Sequence, residues 1–392
     1  MTIDKRPETI AAANAMATDA AFGAVAPPLV LASSYAFRGF EKPRPHEYSR
    51  TSNPTRDQLA DTIAKLEGGA GAVIVSAGMA AVDLLLCHLR PGDRVVAPHD
   101  GYSGTSRLLA FRAERSGFAV QFVDQGDPTA LTASLASRPK LVFVETPSNP
   151  LLRVVDIAAI AERAKAVGAL VAVDNTFLSP ALQRPIALGA DYVIHSTTKY
   201  INGHSDVVGG AVVAAEAEAA ATLAYWANVT GVVGAPFDSY QTLRGLRTLF
   251  VRIERQQRTA MALAEFLAAH KRVSAVHYPG LSTHPGHALA KAQQDGFGAM
   301  LSFEIPGGRQ AVARFVEALK IFTLAESLGG VESLVAHPAT MTHANMTTEA
   351  LNAAGINDGL LRLSVGLEAE SDLLLDLAQA LDRCDEGARD VR

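Results

Sequence analysis

Two apolar stretches that turn polar at their ends constrain the fold of this chain most strongly. Val171–Thr176 reads Val-Ala-Val-Asp-Asn-Thr, and Ala190–Tyr200 reads Ala-Asp-Tyr-Val-Ile-His-Ser-Thr-Thr-Lys-Tyr. Each begins with the apolar, β-branched residues of a buried parallel strand and becomes polar where that strand should end. Because ligands of open α/β sheets bind outside the carboxyl ends of the strands, we expect Asp174, Ser196 and Lys199 to share one crevice.

Similar runs alternate with helical patterns through the first half of the chain. The strand-like runs are Arg94–Ala97, Val120–Val123, Lys140–Glu145, Leu170–Asp174 and Tyr192–His195, and helical patterns start near Ser106, Pro128 and Ile157. This alternation is typical of an α/β fold with a doubly wound, mostly parallel sheet. Polar clusters recur at four predicted strand ends, which favours a functional site at that edge of the sheet.

The sequence predicts three parts. Residues 1–57 contain many prolines and few periodic elements, so we expect an extended N-terminal arm that lies on this subunit or contacts a neighbouring one. Residues 58–256 carry the α/β alternation and form the predicted large domain. Residues 257–392 predict a smaller α+β domain.

Charge and cysteine usage favour an enzyme that acts on small molecules. The 392 residues carry a net charge of −5 and no basic block, which gives no support for nucleic-acid binding. Cys87 and Cys384 form no CxxC motif and fit a reducing compartment. His284 and His287 lack a third partner at metal-site spacing, so we predict no metal site. With neither a signal peptide nor a membrane span evident, we expect a cytoplasmic enzyme.

A lysine at the end of a buried strand is a candidate nucleophile. Lys199 taken alone fits a surface lysine, but burial would lower its pKa and make its amine both a nucleophile and a base. Ser196 and Thr198 place hydroxyls beside it. Asp174 could keep a pyridine nitrogen protonated, and Tyr102 could stack on such a ring.

Candidate phosphate donors accompany this lysine. The amides of Gly78 and Met79 begin a predicted apolar helix, where an anion can bind without side chains. Tyr48 and Arg50 lie in a stretch of the arm that reads equally well as a solvated loop or as a phosphate-binding arm. Together these residues meet the requirements of pyridoxal 5'-phosphate, a phosphorylated aldehyde with a basic ring nitrogen.

Two other classes stay open on the residues alone. A nucleotide-dependent oxidoreductase could use a similar sheet, but no GxGxxG motif follows a predicted strand. An interaction protein that has lost catalysis is disfavoured because the lysine, aspartate, tyrosine and arginine positions are all filled.

Longer runs resemble the pyridoxal-phosphate enzymes of cysteine and methionine transsulfuration. These runs are Tyr48–Arg56, Glu145–Pro150, Val173–Pro180, His195–Asp206 and Thr323–Ser333. The similarity begins near residue 20, follows the family's order and spans nearly the whole chain. It implies an aspartate-aminotransferase-like large domain, pyridoxal 5'-phosphate as cofactor, and a homotetramer built from dimers with shared active sites.

The resemblance also implies residue roles. The implied cofactor-binding residues are Tyr48, Arg50, Gly78, Met79, Tyr102, Asp174, Ser196, Thr198 and Lys199, of which Lys199 and Tyr102 are also catalytic. Tyr48 and Arg50 would reach the phosphate of the neighbouring subunit. The implied substrate-binding residues are Arg107, Asn149, Glu326, Ser327 and Arg362, with Arg362 on the α-carboxylate.

The implied reaction is γ-replacement. Lys199 would remove the α-proton of O-succinylhomoserine, the acyl group would leave after β-deprotonation, and cysteine would add to give cystathionine and succinate. Two alternatives stay open: γ-elimination of cystathionine to cysteine, 2-oxobutanoate and ammonia, and a sulfhydrylase reaction with sulfide. The acid at Glu326 is typical of the family's synthases and γ-lyases rather than its β-lyases. Ser103 departs from the family's usual glycine, residues 337–345 mix synthase-like and lyase-like features, and Tyr278–Leu281 resembles the lyases. These departures leave the acceptor and the direction of the reaction open.

Overall fold

The computed structural model describes residues 5–344 and 346–385. Residues 1–4 of the predicted arm, and residues 345 and 386–392 of the predicted C-terminal domain, lie outside the described residues. The predicted α/β fold, with a large mostly parallel sheet and a smaller second sheet, is confirmed.

The larger sheet has seven strands in the order β1-β7-β6-β5-β4-β2-β3. The bounds are β1 Gly71–Val75, β2 Arg94–Pro98, β3 Ala119–Val123, β4 Leu141–Glu145, β5 Leu170–Asp174, β6 Tyr192–Ser196 and β7 Gly210–Ala214. The neighbours β3, β2, β4, β5 and β6 pair in parallel, whereas β7 is antiparallel to both β1 and β6. The carboxyl ends of β4, β5 and β6 therefore meet at one edge, where Glu145 pairs with Asp174 in register.

Helices cover both faces of this sheet. Their bounds are α1 Pro7–Ala13, α2 Pro54–Glu67, α3 Gly78–Leu85, α4 Ser103–Ser116, α5 Pro128–Leu135, α6 Ile157–Ala166, α7 Ser179–Leu182, α8 Ala217–Thr230, α9 Pro236–Leu246 and α10 Leu249–Ala269. Leu109 of α4 and Leu223 of α8 pack on one face, while Ile160 of α6 and Ile63 of α2 pack on the other. Since both faces are covered, β4 is buried along its whole length, which explains its continuous apolar sequence.

The smaller sheet has five strands in the order β10-β11-β12-β9-β8. The bounds are β8 Ala275–His277, β9 Met300–Glu304, β10 Thr323–Leu324, β11 Leu334–Ala336 and β12 Leu360–Ser364, with helices α11 His287–Gln293, α12 Gly308–Ala318, α13 Thr348–Ala354 and α14 Glu370–Asp382. Short 3-10 turns cover Leu86–His88, Pro185–Leu188, Pro338–Thr340 and Arg383–Asp385.

A shared core joins the two sheets. It contains Phe177 and Tyr200 from the large-sheet part together with Phe303, Phe315 and Leu363 from the small-sheet part. The helix α10 runs through the predicted boundary between residues 256 and 257, and that division of domains stays a prediction. Because Tyr200 is fully buried in this core, the loop that follows β6 is fixed next to the junction of the sheets.

The start of α2 anchors the arm. Asn53 is fully buried, and its Oδ1 accepts hydrogen bonds from the backbone N–H groups of Thr55 and Arg56, which caps the helix. Its Nδ2 donates to Val30 O at 3.0 Å and to the hydroxyl of Tyr35 at 3.1 Å. One side chain thus starts the helix and holds the preceding segment on it.

None of the helices within the described ranges combines the length and hydrophobicity that crossing a membrane requires.

A buried polar network lies beneath the carboxyl end of β6. Glu67, the last residue of α2, accepts hydrogen bonds at Oε1 from His195 Nε2 at 2.6 Å and from Asn175 Nδ2 at 2.8 Å. All three side chains are fully buried. Asn175 also exchanges hydrogen bonds with Gln183, whose Nε2 reaches Thr146 O at 3.1 Å. The network ties α2 to the loops that follow β4 and β5.

We predict that Glu67→Ala lowers the free energy of unfolding by about 3–5 kcal/mol, because it leaves buried hydrogen-bonding partners unpaired. The matched control is Asp61→Ala on the same helix. Asp61 pairs with Lys65 at the surface, where such a pair contributes less than about 1 kcal/mol. Denaturant unfolding at one protein concentration compares the two variants. Equal losses would contradict the role given to the network.

Candidate functional site

A cavity of about 510 Å³ lies at the carboxyl ends of β4, β5 and β6, where the large sheet meets the loops of the smaller one. All predicted site residues apart from Tyr48 and Arg50 line this cavity. They are Gly78, Met79, Tyr102, Arg107, Asn149, Asp174, Ser196, Thr198, Lys199, Glu326, Ser327 and Arg362. The structure thus brings together residues from positions 78 to 362. This agrees with the prediction that polar residues at the carboxyl ends of the strands share one crevice.

Lys199 follows β6 and points its amine into this cavity. Its Nζ donates a hydrogen bond to Ser327 Oγ at 2.7 Å. Burial, assisted by the positive charge of Arg362 and opposed by the negative charge of Glu326, lowers the pKa of Lys199 to about 8. The neutral share of the amine near neutral pH is therefore larger than that of an exposed lysine.

A buried arginine fixes the loop that carries this lysine. Arg252 of α10 donates from Nη1 to Tyr200 O at 2.8 Å and from Nη2 to Gly245 O at 2.9 Å. Tyr200, which directly follows Lys199, is itself fully buried. The lysine therefore extends from a backbone held on both sides by packing and hydrogen bonds.

A second buried cation lies on β12. Arg362 is only 2% exposed, and it donates from Nη1 to Asn149 Oδ1 at 2.8 Å and from Nη2 to Ser327 O at 3.0 Å. Its Nε is buried and has no hydrogen-bond partner in the described structure. Burial lowers the pKa of Arg362 to about 10, so it stays charged near neutral pH. A charged guanidinium with a free donor in a cavity suits a carboxylate ligand.

Asp174 ends β5 beside the cavity. Its Oδ1 accepts a hydrogen bond from Thr176 N at 2.9 Å, and Thr176 Oγ1 in turn accepts one from Ser196 N at 2.9 Å. Burial raises the pKa of Asp174, partly offset by its hydrogen bonds with Thr176. Asp174 lines the cavity and forms no ion pair with a lysine or arginine of the described residues, so it is available to a cationic group of a ligand.

The first turn of α3 forms an anion cradle. The helix begins at Gly78 without a side-chain cap, which leaves the first amides available to a negative group. A Cβ on Gly78 would lie 2.8 Å from Ser196 Cβ, so only glycine allows this close approach of the start of α3 to the end of β6. Thr198, across the cradle, accepts a hydrogen bond at Oγ1 from Gly209 N at 3.0 Å.

Tyr102, Arg107 and Glu326 lie at the more exposed side of the cavity. Tyr102 immediately precedes α4, and its backbone N–H donates to Glu145 Oε2 at 2.7 Å. Arg107 lies one turn further along the same helix. It has no hydrogen-bond or ion-pair partner within residues 5–344 and 346–385, so its charge is available to a ligand.

Tyr48 and Arg50 lie outside the cavity of their own chain. Tyr48 is 46% exposed, and the guanidinium of Arg50 lies over its ring at 5.5 Å from the centroid. Arg50 Nη1 donates to Asn228 O at 2.8 Å. Both side chains are thus held on the surface, and their reach into a neighbouring subunit stays a prediction.

Several cavity residues were given no role by the sequence. Glu145 ends β4, accepts a hydrogen bond from Asn149 N at 3.2 Å as well as that of Tyr102, and has its pKa raised by burial and by the charge of Asp174. Its position at the end of an apolar run, like that of Asp174, was a signal that could have identified it. Met341 and Thr342 also line the cavity, but they lie on an irregular segment without a periodic pattern.

The comparisons with known proteins agree with this geometry. Residues 8–382 match the model of the Cys/Met metabolism PLP-dependent enzymes. Cystathionine gamma-synthase of Escherichia coli K12 is 54% identical over 98% of this chain and 100% of that protein. A crystal structure of cystathionine gamma synthase from Xanthomonas oryzae pv. oryzae superposes with a TM-score of 0.97 at 57% identity, covering 98% of this chain and 99% of that one. Cystathionine beta-lyase of Lactococcus lactis is 47% identical over 94% of this chain and 97% of its own length. The predicted family and cofactor are therefore confirmed, and this chain belongs to the Cys/Met metabolism PLP-dependent enzyme family.

Proposed function

We propose that this PLP-dependent enzyme catalyses γ-replacement, in which the sulfur of cysteine displaces the acyl group of O-succinylhomoserine to give cystathionine and succinate. One observation carries the proposal: a lysine amine with a lowered pKa lies in one cavity between a buried carboxylate-binding arginine and a partly exposed arginine and glutamate. A substrate with a carboxylate at each end, one of them on its leaving group, matches this distribution of charge. The relatives named cystathionine gamma-synthase support the same reaction.

The cavity fits pyridoxal 5'-phosphate. When bound, the cofactor supplies an electron sink for charge that develops on the substrate. We assign Lys199 to its aldehyde, Asp174 to its ring nitrogen and the Gly78 amide to its phosphate. Two observations support the fit: Asp174 has no lysine or arginine partner among the described residues, and any Cβ at Gly78 would collide with Ser196 beside the first turn of α3. Met79, Ser196 and Thr198 complete the phosphate donors, and Tyr102 flanks the cavity where it could stack on the ring.

Lys199 is assigned the proton transfers. Its Nζ, which is neutral more often than the amine of an exposed lysine, would take the proton from the substrate's α-carbon and return protons as the γ-substituent changes. The hydrogen bond from Nζ to Ser327 Oγ keeps the amine on the side of the cavity where Arg362 lies. A substrate whose carboxylate binds Arg362 would therefore present its α-carbon near this base.

Arg362 and Asn149 are assigned to the α-carboxylate. The guanidinium is oriented by two hydrogen bonds to the protein, and its buried Nε has no partner among the described residues. Arg107 is assigned to the distal carboxylate of the succinyl group. Glu326, whose negative charge raises the pKa of Lys199, suits the ammonium group of an amino-acid substrate.

Product analysis of the purified protein tests the reaction. O-succinylhomoserine with cysteine should give cystathionine and succinate in equal amounts. Cystathionine alone tests γ-elimination through 2-oxobutanoate, and sulfide as acceptor tests sulfhydrylation through homocysteine. Rapid consumption of cystathionine, without its formation from the first pair, would reject the synthase assignment in favour of a lyase.

We predict that the rate of covalent attachment of pyridoxal 5'-phosphate to the apo-protein rises with pH through about 8 and then levels off. Below this pH, Nζ carries a third proton and has no lone pair; above it, the neutral amine can attack the aldehyde. Borohydride reduction followed by peptide mass analysis measures the attachment at Lys199. Glu326→Gln should move the midpoint lower because it removes a negative charge that raises the pKa.

A midpoint near the ordinary pKa of lysine would contradict the effect of burial. Lys199→Ala is the control for attachment at other lysines, and it should also lose turnover.

We predict that Arg107→Ala raises the KM for O-succinylhomoserine about tenfold, because the variant loses one charged hydrogen bond to the substrate. The KM for O-acetylhomoserine, which lacks the distal carboxylate, should change little. The control Arg115→Ala removes an exposed arginine of the same helix that packs on Phe111 rather than lining the cavity. Equal effects of Arg107→Ala on both donors would reject the assignment.

We also propose a homotetramer built from dimers, in which the arm carries Tyr48 and Arg50 into the site of the neighbouring subunit. Support comes from their position outside their own cavity and from the exposure of apolar arm residues, including Phe22 at 92%. The proposed reaction uses small-molecule amino-acid substrates and involves neither nucleic acid nor a membrane. The cytoplasmic location expected from the sequence stays a prediction.

We predict that the inactive variants Lys199→Ala and Arg50→Ala complement each other in a hybrid dimer. One site would combine Lys199 from one subunit with Arg50 from the other, so about half of the wild-type activity should return. Co-expression with two different tags isolates the hybrid, and turnover measures it. If Arg50 served its own subunit, the hybrid would stay as inactive as the two parents.

A further inference from the structure

One hydrogen bond joins two facing walls of the cavity. Ser103, the first residue of α4, donates from Oγ to Thr342 O at 2.6 Å. Ser103, Met341 and Thr342 all line the cavity. Within residues 5–344 and 346–385, no other hydrogen bond joins the segment 341–343 to the first turn of α4. The serine hydroxyl therefore ties a wall built by the small-sheet part to the helix that carries Arg107.

The same segment is linked to the carboxylate-binding arginine. His343 is 1% exposed, and its Nε2 donates to Asn149 O at 3.2 Å while its Nδ1 accepts from Thr342 Oγ1 at 2.8 Å. Burial and the charge of Arg362 lower the pKa of His343 to about 4, so the ring is neutral and keeps these roles near neutral pH. Asn149 then accepts a hydrogen bond from Arg362. A continuous series of contacts thus runs from Ser103 through the segment 341–343 to Arg362.

We propose that Ser103 is a positioning residue that favours capture of the thiol over elimination, an inference that rests on the proposed function. The homoserine-derived substrate is held through the cofactor as well as by Arg362. The incoming cysteine has only the walls of the cavity to position it. Arg362 keeps its hydrogen bond to Ser327 O, which lies outside the segment 341–343, so loosening this wall should weaken the use of cysteine more than the use of the donor.

The two outcomes compete for the same four-carbon fragment after succinate has left. Addition of the cysteine thiolate to the γ-carbon and return of the protons give cystathionine. Protonation of the γ-carbon and hydrolysis of the carbon–nitrogen bond give 2-oxobutanoate and ammonia. In the first overall reaction, O-succinylhomoserine and cysteine give cystathionine and succinate. In the second, O-succinylhomoserine and water give 2-oxobutanoate, ammonia and succinate.

The test uses the holoenzyme with Ser103→Ala and Ser103→Gly, both of which remove the hydroxyl. The KM for cysteine should rise, and the ratio of cystathionine to 2-oxobutanoate should fall, by about two- to tenfold, the range for one net hydrogen bond. The KM for O-succinylhomoserine should change less. Ser106→Ala is the matched control, because Ser106 lies on the same helix and its hydroxyl makes no hydrogen bond in the described structure.

Hydrogen exchange of peptides covering residues 337–344 provides a second readout that is independent of the reaction. Faster exchange in both Ser103 variants, with a changed KM for cysteine and product ratio, supports the proposal. Unchanged product ratio and cysteine KM in both variants overturn it, whatever the exchange rates. If the wild-type protein forms no cystathionine, the proposed function fails, and the exchange data alone then report whether the tie exists.

Discussion

Two cations, the partly buried Lys199 and the buried Arg362, lie in one cavity, and the arrangement of the site depends on how the fold stabilises them. Ser327 contacts both: its hydroxyl accepts a hydrogen bond from Nζ of Lys199, and its carbonyl accepts one from Arg362. Burial, together with the positive charge of Arg362, favours the neutral form of the stronger acid of the two, the lysine ammonium, while the guanidinium stays charged. A base and a carboxylate-binding group thus result from one electrostatic constraint.

The large sheet makes this burial possible by bringing the ends of its strands to one edge. Asp174 and Glu145 are paired in register on neighbouring strands, so two carboxyl groups line the same cavity as the cations. Each instead accepts backbone hydrogen bonds from the loops that shape the cavity. Burial raises the pKa of both carboxyl groups, and the charge of Asp174 raises that of Glu145 further. The site therefore holds acidic and basic groups whose pKa values are displaced by the same cause.

The cavity is closed by residues that the large sheet does not supply. Arg362 lies on β12 of the smaller sheet, and the segment 341–343 connects Asn149 to α4 through the contacts of His343 and Thr342. The shared core, which includes Tyr200 directly after Lys199, keeps these walls in place relative to the lysine. The geometry of substrate binding thus depends on packing between the two sheets rather than on either sheet alone.

The positions of Asp174, Ser196 and Lys199 at the ends of strands could be predicted from the sequence. A continuous apolar run reflects a strand that is buried on both faces of the sheet, and the polar residues after the run mark where that strand ends. The same pattern marked a polar strand end at Glu145, although the sequence analysis assigned that residue no role. The contacts of Lys199 with Ser327, 128 positions away, and of Ser103 with Thr342, 239 positions away, leave no local pattern. The sequence alone determined the parallel sheet, its polar edge and the residue types that meet a pyridoxal cofactor. Only the tertiary structure decided which distant loops complete the cavity, because side-chain orientation, desolvation and the resulting pKa shifts depend on neighbours brought together by packing.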